Sequence, residues 1–141
     1  MNLTKNFQLN EFLQSETAYR YDIEEQFNPP PQVTKNLKTL CEKILQPVRD
    51  KFGVIRVTSG YRCRKVNDII KGSVTSQHMI GQAADIQAVN TTNKVLFEYI
   101  KNSNLPFDQL IWEFGTKNEP AWVHVSISDK PRRQVLYIGV K

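Results

Sequence analysis

The longest periodic pattern of apolar residues runs from residue 31 to residue 52. Apolar side chains recur there at steps of three and four residues, which places them on one face of a helix; they are Val33, Leu37, Leu40, Cys41, Ile44, Leu45, Val48 and Phe52. Pro47 is expected to kink the last turn and Gly53 to end the helix. Similar but shorter patterns predict helices over residues 62–70 and 92–102, and a first short helix within residues 7–21, beginning near Asn10.

Alternating or β-branched runs predict five strands, most of them in the second half of the chain. They cover residues 54–58, 83–87, 109–114, 122–128 and 134–140. Helices therefore cluster early and strands late, a pattern typical of an α+β fold with helices packed on one face of a small, largely antiparallel sheet. The 141 residues suit a single domain, with residues 1–30 forming a helical or extended segment packed on it.

Composition narrows the classes of protein to which the chain can belong. Hydrophobic residues make up 40% and charged residues 23% of the chain, as in ordinary globular proteins. It has no apolar run of about 18 residues that would span a membrane. The first residues lack the apolar segment of a secretory signal, so we expect synthesis in the cytoplasm and delivery by another route.

The net charge of +5 favours anionic partners such as a bacterial cell wall. Lysines and arginines are scattered among acidic residues, and the one basic cluster, residues 130–133, lacks the aromatic residues that stack on bases. We therefore expect no nucleic-acid binding, and we expect a monomer. Cys41 and Cys63 have neither a metal-binding spacing nor a disulfide framework, and whether they pair stays open.

The only two histidines are the first candidates for chemistry. His78 lies in a predicted loop seven residues before Asp85, and His124 lies in a strongly alternating strand. Two imidazoles and one carboxylate, with a fourth position for water, form a common ligand set for catalytic zinc. A histidine on a strand is more often an ordinary hydrogen-bonded residue, but the small residues Gly81 and Ala83 favour a site because they permit close approach of the backbone.

Three motifs in order give a more specific signal. Residues 59–62 read Ser-Gly-Tyr-Arg, residues 76–85 contain Ser-x-His-x-x-Gly-x-Ala-x-Asp, and residues 122–126 read Trp-Val-His-Val-Ser. Together they resemble the zinc D-alanyl-D-alanine peptidase family, which includes D-Ala-D-Ala carboxypeptidases, vancomycin-resistance dipeptidases and phage endolysins that cut the L-Ala-D-Glu bond. The hedgehog signalling domain shares this fold, and the similarity extends from about residue 7 to residue 140.

The resemblance implies one zinc ion held by His78, Asp85 and His124. It also implies that Arg62 lies beside the metal, where a guanidinium can polarise the substrate carbonyl or hold a carboxylate. The implied substrate is the stem peptide of peptidoglycan, cut by a D-Ala-D-Ala carboxypeptidase or an L-Ala-D-Glu endopeptidase that acts on the cell wall as a phage-type lysin or a virion-borne enzyme. Four further residues are expected to line the substrate groove: Tyr61, Ser76, Gln77 and Trp122.

The general base is not fixed by the motifs. Well-known members of the family carry an acidic residue a few positions before the last histidine, but Ala121 stands three positions before His124. Glu113 and Glu119 are the two candidates, and we prefer Glu113 because it ends a predicted strand and a base should stand on a rigid element. The missing acid also supports an alternative, a non-catalytic metal-containing module that binds the cell wall or forms part of a virion.

Overall fold

A five-stranded sheet lies at the centre of the computed structural model, which describes residues 1–141. In chain order the strands are β1 (Asn2–Thr4), β2 (Phe7–Gln8), β3 (Ile55–Ser59), β4 (Ala83–Ala88), β5 (Gln109–Glu113), β6 (Trp122–Ser126) and β7 (Gln134–Ile138). β1 and β2 form a separate hairpin, and the large sheet has the order β3-β4-β6-β5-β7. Every pair in it is antiparallel except β5 and β7, so the predicted α+β fold with a largely antiparallel sheet is confirmed.

The helices are α1 (Glu16–Arg20), α2 (Pro31–Leu40), α3 (Gln46–Phe52), α4 (Arg64–Ile69) and α5 (Asn93–Lys101). A π-helical turn, Cys41–Leu45, joins α2 to α3, so the long helix predicted for residues 31–52 is continuous. The turn comes just before Pro47, which has no N–H to donate, and the amide of Gln46 instead reaches the carbonyl of Cys41. Gly53 follows α3 with a positive φ of 80°.

One hydrophobic core of 28 buried residues lies between the helices and one face of the sheet. Because side chains alternate along a strand, Ile86 and Val123 enter this core, whereas Asp85 and His124 belong to the opposite face. Leu96, Phe97 and Ile100 bring the apolar side of α5 into the same core. The helical packing therefore leaves the other face of β4, β6 and β5 available for polar side chains.

The opening segment differs from the predicted helix over residues 7–21. The chain instead forms the β1–β2 hairpin, a 3₁₀ turn at Leu9–Phe12, and an α-helix only at Glu16–Arg20. Phe7 and Phe12 are almost fully buried, with ring centroids 6.0 Å apart. Their packing against the core overrides the local helical pattern, as tertiary contacts commonly do.

Cys41 and Cys63 are both buried and free. None of the helices has the length and apolar character that crossing a lipid bilayer requires.

Candidate metal centre

Strand register places two of the three predicted ligands side by side. Asp85 on β4 is the direct antiparallel partner of His124 on β6, and Asp85 Oδ1 lies 3.0 Å from His124 Nδ1. His78 arrives from the 3₁₀ turn Gln77–Ile80, with Nε2 3.5 Å from the same Asp85 oxygen. The structure thus brings His78, Asp85 and His124 into one group, whose candidate ligand atoms all lie within 4.8 Å of one another.

The ring of His78 is oriented by a backbone contact. Its Nδ1 lies 2.6 Å from the carbonyl oxygen of Gly60, which can only accept a hydrogen bond. Nδ1 therefore carries the proton, and Nε2 keeps its lone pair on the side of Asp85. Metal-binding histidines are commonly fixed in this way by a carbonyl behind the ring.

A glycine closes the turn that carries His78. Gly81 has a φ of +76°, and a Cβ at this position would come within 2.7 Å of the carbonyl oxygen of Val33. A residue with a side chain would therefore combine strain with a backbone clash. The glycine of the second motif is thus explained by how closely the turn approaches α2.

Asp85 is poised to remain ionised. Burial opposes its negative charge, but the hydrogen bond from His124 and the nearby ring of His78 outweigh burial and hold the pKa of Asp85 well below its usual range. A buried carboxylate that stays charged between two imidazoles is suited to a cation.

Glu113 presents a second carboxylate to this group. It pairs with Trp122, two residues before His124, and is therefore a diagonal neighbour of that histidine on the same face of the sheet. Glu113 Oε1 lies 3.5 Å from His124 Nδ1. Burial, and then the charge of Asp85, raise the pKa of Glu113.

Glu119 has a different environment. Its carboxylate accepts a hydrogen bond of 3.0 Å from the backbone amide of Lys94, in the first turn of α5. It does not line the cavity that holds the histidines. The structure therefore brings Glu113, and not Glu119, to the metal group.

A cavity of about 620 Å³ opens over the metal group. Besides the three candidate ligands and Glu113, it is lined by four residues that the sequence singled out: Arg62, Ser76, Gln77 and Trp122. Tyr61, the remaining one, is only 6% exposed, belongs to the hydrophobic core and does not line the cavity.

Arg62 is partly buried between the metal group and the loop that precedes His78. Its Nη2 donates to the hydroxyl of Ser76 over 3.3 Å, and its backbone amide donates to the carbonyl of His78 over 3.1 Å. Burial lowers the pKa of Arg62, while the charges of Asp85 and Glu113 act in the opposite direction. An arginine remains charged in such surroundings because its pKa starts so high.

Gln26 fixes the segment around Arg62 and was not foreseen from the sequence. It is fully buried, and its Nε2 donates to the carbonyls of Leu13 (3.0 Å) and Tyr61 (2.8 Å). Its Oε1 accepts the amide of Cys63 over 2.9 Å. Both neighbours of Arg62 in the chain are thus held by one side chain from 35 or more residues upstream, and a lone glutamine has no local pattern that signals such a role.

Asp108 anchors the other side of the loop and was also missed. Gln77 Nε2 donates to Asp108 Oδ2 and to the carbonyl of Ile127, both over 3.0 Å. Hydrogen bonds from Arg132 lower the pKa of Asp108 to about 2. In the sequence, Arg132 was visible only as part of a basic cluster, because its partner lies 24 residues away.

Comparison with protein-family models gives a match. The family model described as Peptidase M15 matches residues 5–126, a segment that contains His78, Asp85, His124 and both candidate glutamates. No curated protein sequence matches the chain.

Proposed function

The chain belongs to the Peptidase M15 family, and we propose that it is a zinc-dependent peptidase that hydrolyses the stem peptides of bacterial peptidoglycan. The observation that supports hydrolysis most directly is the 3.5 Å approach of the Glu113 carboxylate to His124, within the cavity that holds the candidate ligands. A metal group beside a separate carboxylate, in a cavity of peptide size, is the arrangement that a metallopeptidase needs.

The donor set fits zinc. Two imidazole nitrogens and one carboxylate oxygen suit this metal in a catalytic site, where a fourth position stays open. Nε2 of His78 is free to bind because Nδ1 is occupied by the carbonyl of Gly60. Zinc held by His78, Asp85 and His124 would lower the pKa of a water molecule and polarise the peptide carbonyl.

Glu113 is then the general base. Its carboxylate accepts the proton of the attacking water and passes it to the leaving amine. Its position at the end of β5 gives it a rigid support. Glu119 is already engaged with Lys94.

Arg62 stabilises the negative charge that develops on the carbonyl oxygen during attack. A guanidinium provides fixed donors for such charge, and the bond to Ser76 limits the positions that Arg62 can take. Trp122, Gln77 and Ser76 line the cavity that receives the peptide. The side-chain amide of Gln77 donates to Asp108, so Gln77 mainly fixes the loop that carries His78.

The substrate is proposed as a stem peptide cut either at D-Ala-D-Ala or at L-Ala-D-Glu, by an enzyme that acts on the cell wall as a lysin or virion component. The net charge of +5 supports attraction to an anionic wall. The competing proposal, a non-catalytic wall-binding module, has its support in Ala121, where the usual acid is missing. The position of Glu113 on the neighbouring strand weighs against it, because this residue offers the carboxylate that position 121 lacks.

Product analysis tests the proposal. Zinc-loaded protein is incubated with purified muropeptides, and mass spectrometry follows free D-alanine and split stems. Either product supports the function and identifies the bond, whereas intact muropeptides after incubation with zinc-loaded protein would favour the module. A Glu113→Gln variant with unchanged zinc content is the matched control for contaminating peptidases.

A further inference from the structure

We propose that Arg132 forms a carboxylate-binding subsite on the wall of the metal cavity, which recognises a free carboxylate of the substrate. The inference rests on the peptidase function proposed above. It concerns a residue that lies outside the three motifs and beyond the segment that matches the family.

The guanidinium of Arg132 is held in place by a buried partner. Nε lies 3.0 Å from Asp108 Oδ1, Nη2 lies 2.8 Å from Oδ2, and the backbone amide of Arg132 also donates to Oδ1 over 3.0 Å. The side chain of Asp108 is only 2% exposed, and Gln77 donates to the same carboxylate. The orientation of Arg132 is therefore fixed before any ligand arrives, which reduces the entropy lost on binding.

The outer edge of the same guanidinium is free. Arginine has five N–H donors, and the bonds to Asp108 use two of them. The other three, on Nη1 and Nη2, have no protein partner, while 57% of the side chain is exposed and the residue lines the cavity. A planar edge with free donors matches the two oxygens of a carboxylate.

The charge distribution in the cavity directs an anion towards this edge. Asp85 within the metal group and Glu113 next to it place negative charge at that end of the cavity, so a substrate carboxylate that the metal does not hold is repelled there. Ser73 and Thr75 add hydroxyl groups to the lining of the same cavity. Opposite charges placed in this way fix the register in which a peptide lies across the site.

Two cations flank the loop that precedes His78. Arg62 bonds to Ser76, whereas Arg132 is connected through Asp108 to Gln77, the next residue. Arg62 is partly buried and faces the metal group, so it is the candidate for the reacting carbonyl. Arg132 is exposed to solvent, so it is the candidate for binding a substrate group away from the scissile bond.

A stem peptide offers two carboxylates with the required chemistry. One is the α-carboxylate of its γ-linked D-glutamate, and the other is its C-terminal carboxylate. Both can be replaced by a carboxamide of nearly the same shape, which removes the negative charge and leaves the rest of the peptide unchanged. Replacing one carboxylate of the peptide by a carboxamide therefore tests the subsite without changing the protein.

The experiment measures binding of three peptides by titration calorimetry. They are L-Ala-γ-D-Glu-L-Lys-D-Ala-D-Ala, its analogue with D-isoglutamine, and its analogue with a C-terminal amide. The protein is zinc-loaded and carries Glu113→Gln so that turnover is slowed, and it is compared with versions that add Arg132→Gln or Arg133→Gln. Arg133 is the matched control because it loses the same charge but donates to the carbonyls of Ser103 and Leu105 and does not line the cavity.

The expected result is that one of the two amides binds about 10- to 100-fold more weakly than the acid, as the loss of a charge-assisted hydrogen bond predicts. Arg132→Gln should weaken binding of the acid to that same level and abolish the difference. Arg133→Gln should keep the difference. The amide that loses affinity identifies which carboxylate is recognised.

Equal binding of all three peptides by the protein with Arg132 intact would overturn the proposal, and so would a difference that persists in Arg132→Gln. If Arg132→Gln does not fold, Arg132→Lys takes its place, because it keeps the charge but loses the planar fork. It should reduce the difference between acid and amide, and an unchanged difference would overturn the proposal. Failure of the peptidase function would be seen separately, as absence of cleavage products from the protein without the Glu113 change.

Discussion

Replacement of Gln26 by leucine tests whether one buried side chain holds the segment around Arg62. Leucine has a similar volume, so the change leaves little cavity, but it removes the hydrogen bonds to the carbonyls of Leu13 and Tyr61 and to the amide of Cys63. Each buried backbone group left unpaired costs about 1–3 kcal/mol. Taking the lower value for each of the three, we expect the free energy of unfolding to fall by about 3 kcal/mol, a large part of the roughly 5–15 kcal/mol of a typical domain.

The assay is urea unfolding followed by circular dichroism, with zinc present at the same concentration for every variant. Gln32→Leu is the matched control, because Gln32 is exposed on α2 and its side chain bonds only to Asn36. We expect this control to change stability by no more than about 0.5 kcal/mol. A loss below about 1 kcal/mol in Gln26→Leu, with an unchanged denaturant slope, would refute the view that these three bonds are needed.

Three other predictions concern the cavity and its anchor. Glu113→Gln should lower kcat about 10²- to 10⁴-fold, as loss of a general base does, while Glu119→Gln should change kcat less than about threefold; the reverse result in peptide hydrolysis would assign the base to Glu119. His124→Ala should abolish stoichiometric zinc binding measured by metal analysis, and a chelator should remove wild-type activity that added zinc restores; an unchanged zinc content would exclude His124 as a ligand. Asp108 has its pKa lowered to about 2, so its ion pair stabilises the fold fully above the unfolded pKa of about 4 and loses this effect as the pH falls through 2. Because Arg132 is exposed to solvent, the ion pair contributes less than the full pKa shift would give, about 1–2 kcal/mol. The difference in free energy of unfolding between wild type and Asp108→Asn should therefore shrink by about that amount from pH 6 to pH 2.

Local patterns predicted the parts of the fold that depend on neighbours in the chain. Alternation along residues 122–128 placed His124 on the side opposite Val123, and the structure has the same arrangement. The three- and four-residue spacing over residues 31–52 predicted the long helix because its buried face is continuous in the chain. The helix predicted at the start of the chain was wrong because Phe7 and Phe12 are held by contacts with distant residues.

The candidate site was predictable only in part, for the same physical reason. The motifs named the histidines and Asp85, but the pairing that makes Glu113 a diagonal neighbour of His124 depends on the register between β5 and β6. Gln26 and Asp108 act through partners far away in sequence, so no spacing rule points to them. Tyr61 was expected in the groove with Arg62, but adjacent residues in a turn need not share an environment, and its ring packs into the core.

The direct pairing of Asp85 with His124 has a consequence for how the sheet forms. If β4 and β6 paired one residue out of step, the side chains of one strand would point to the wrong face and the imidazole would enter the apolar core. Only the correct register offers the full set of metal-binding atoms. The proposed zinc ion would therefore stabilise the correctly paired sheet over a shifted one, by an amount that grows with the logarithm of the zinc concentration.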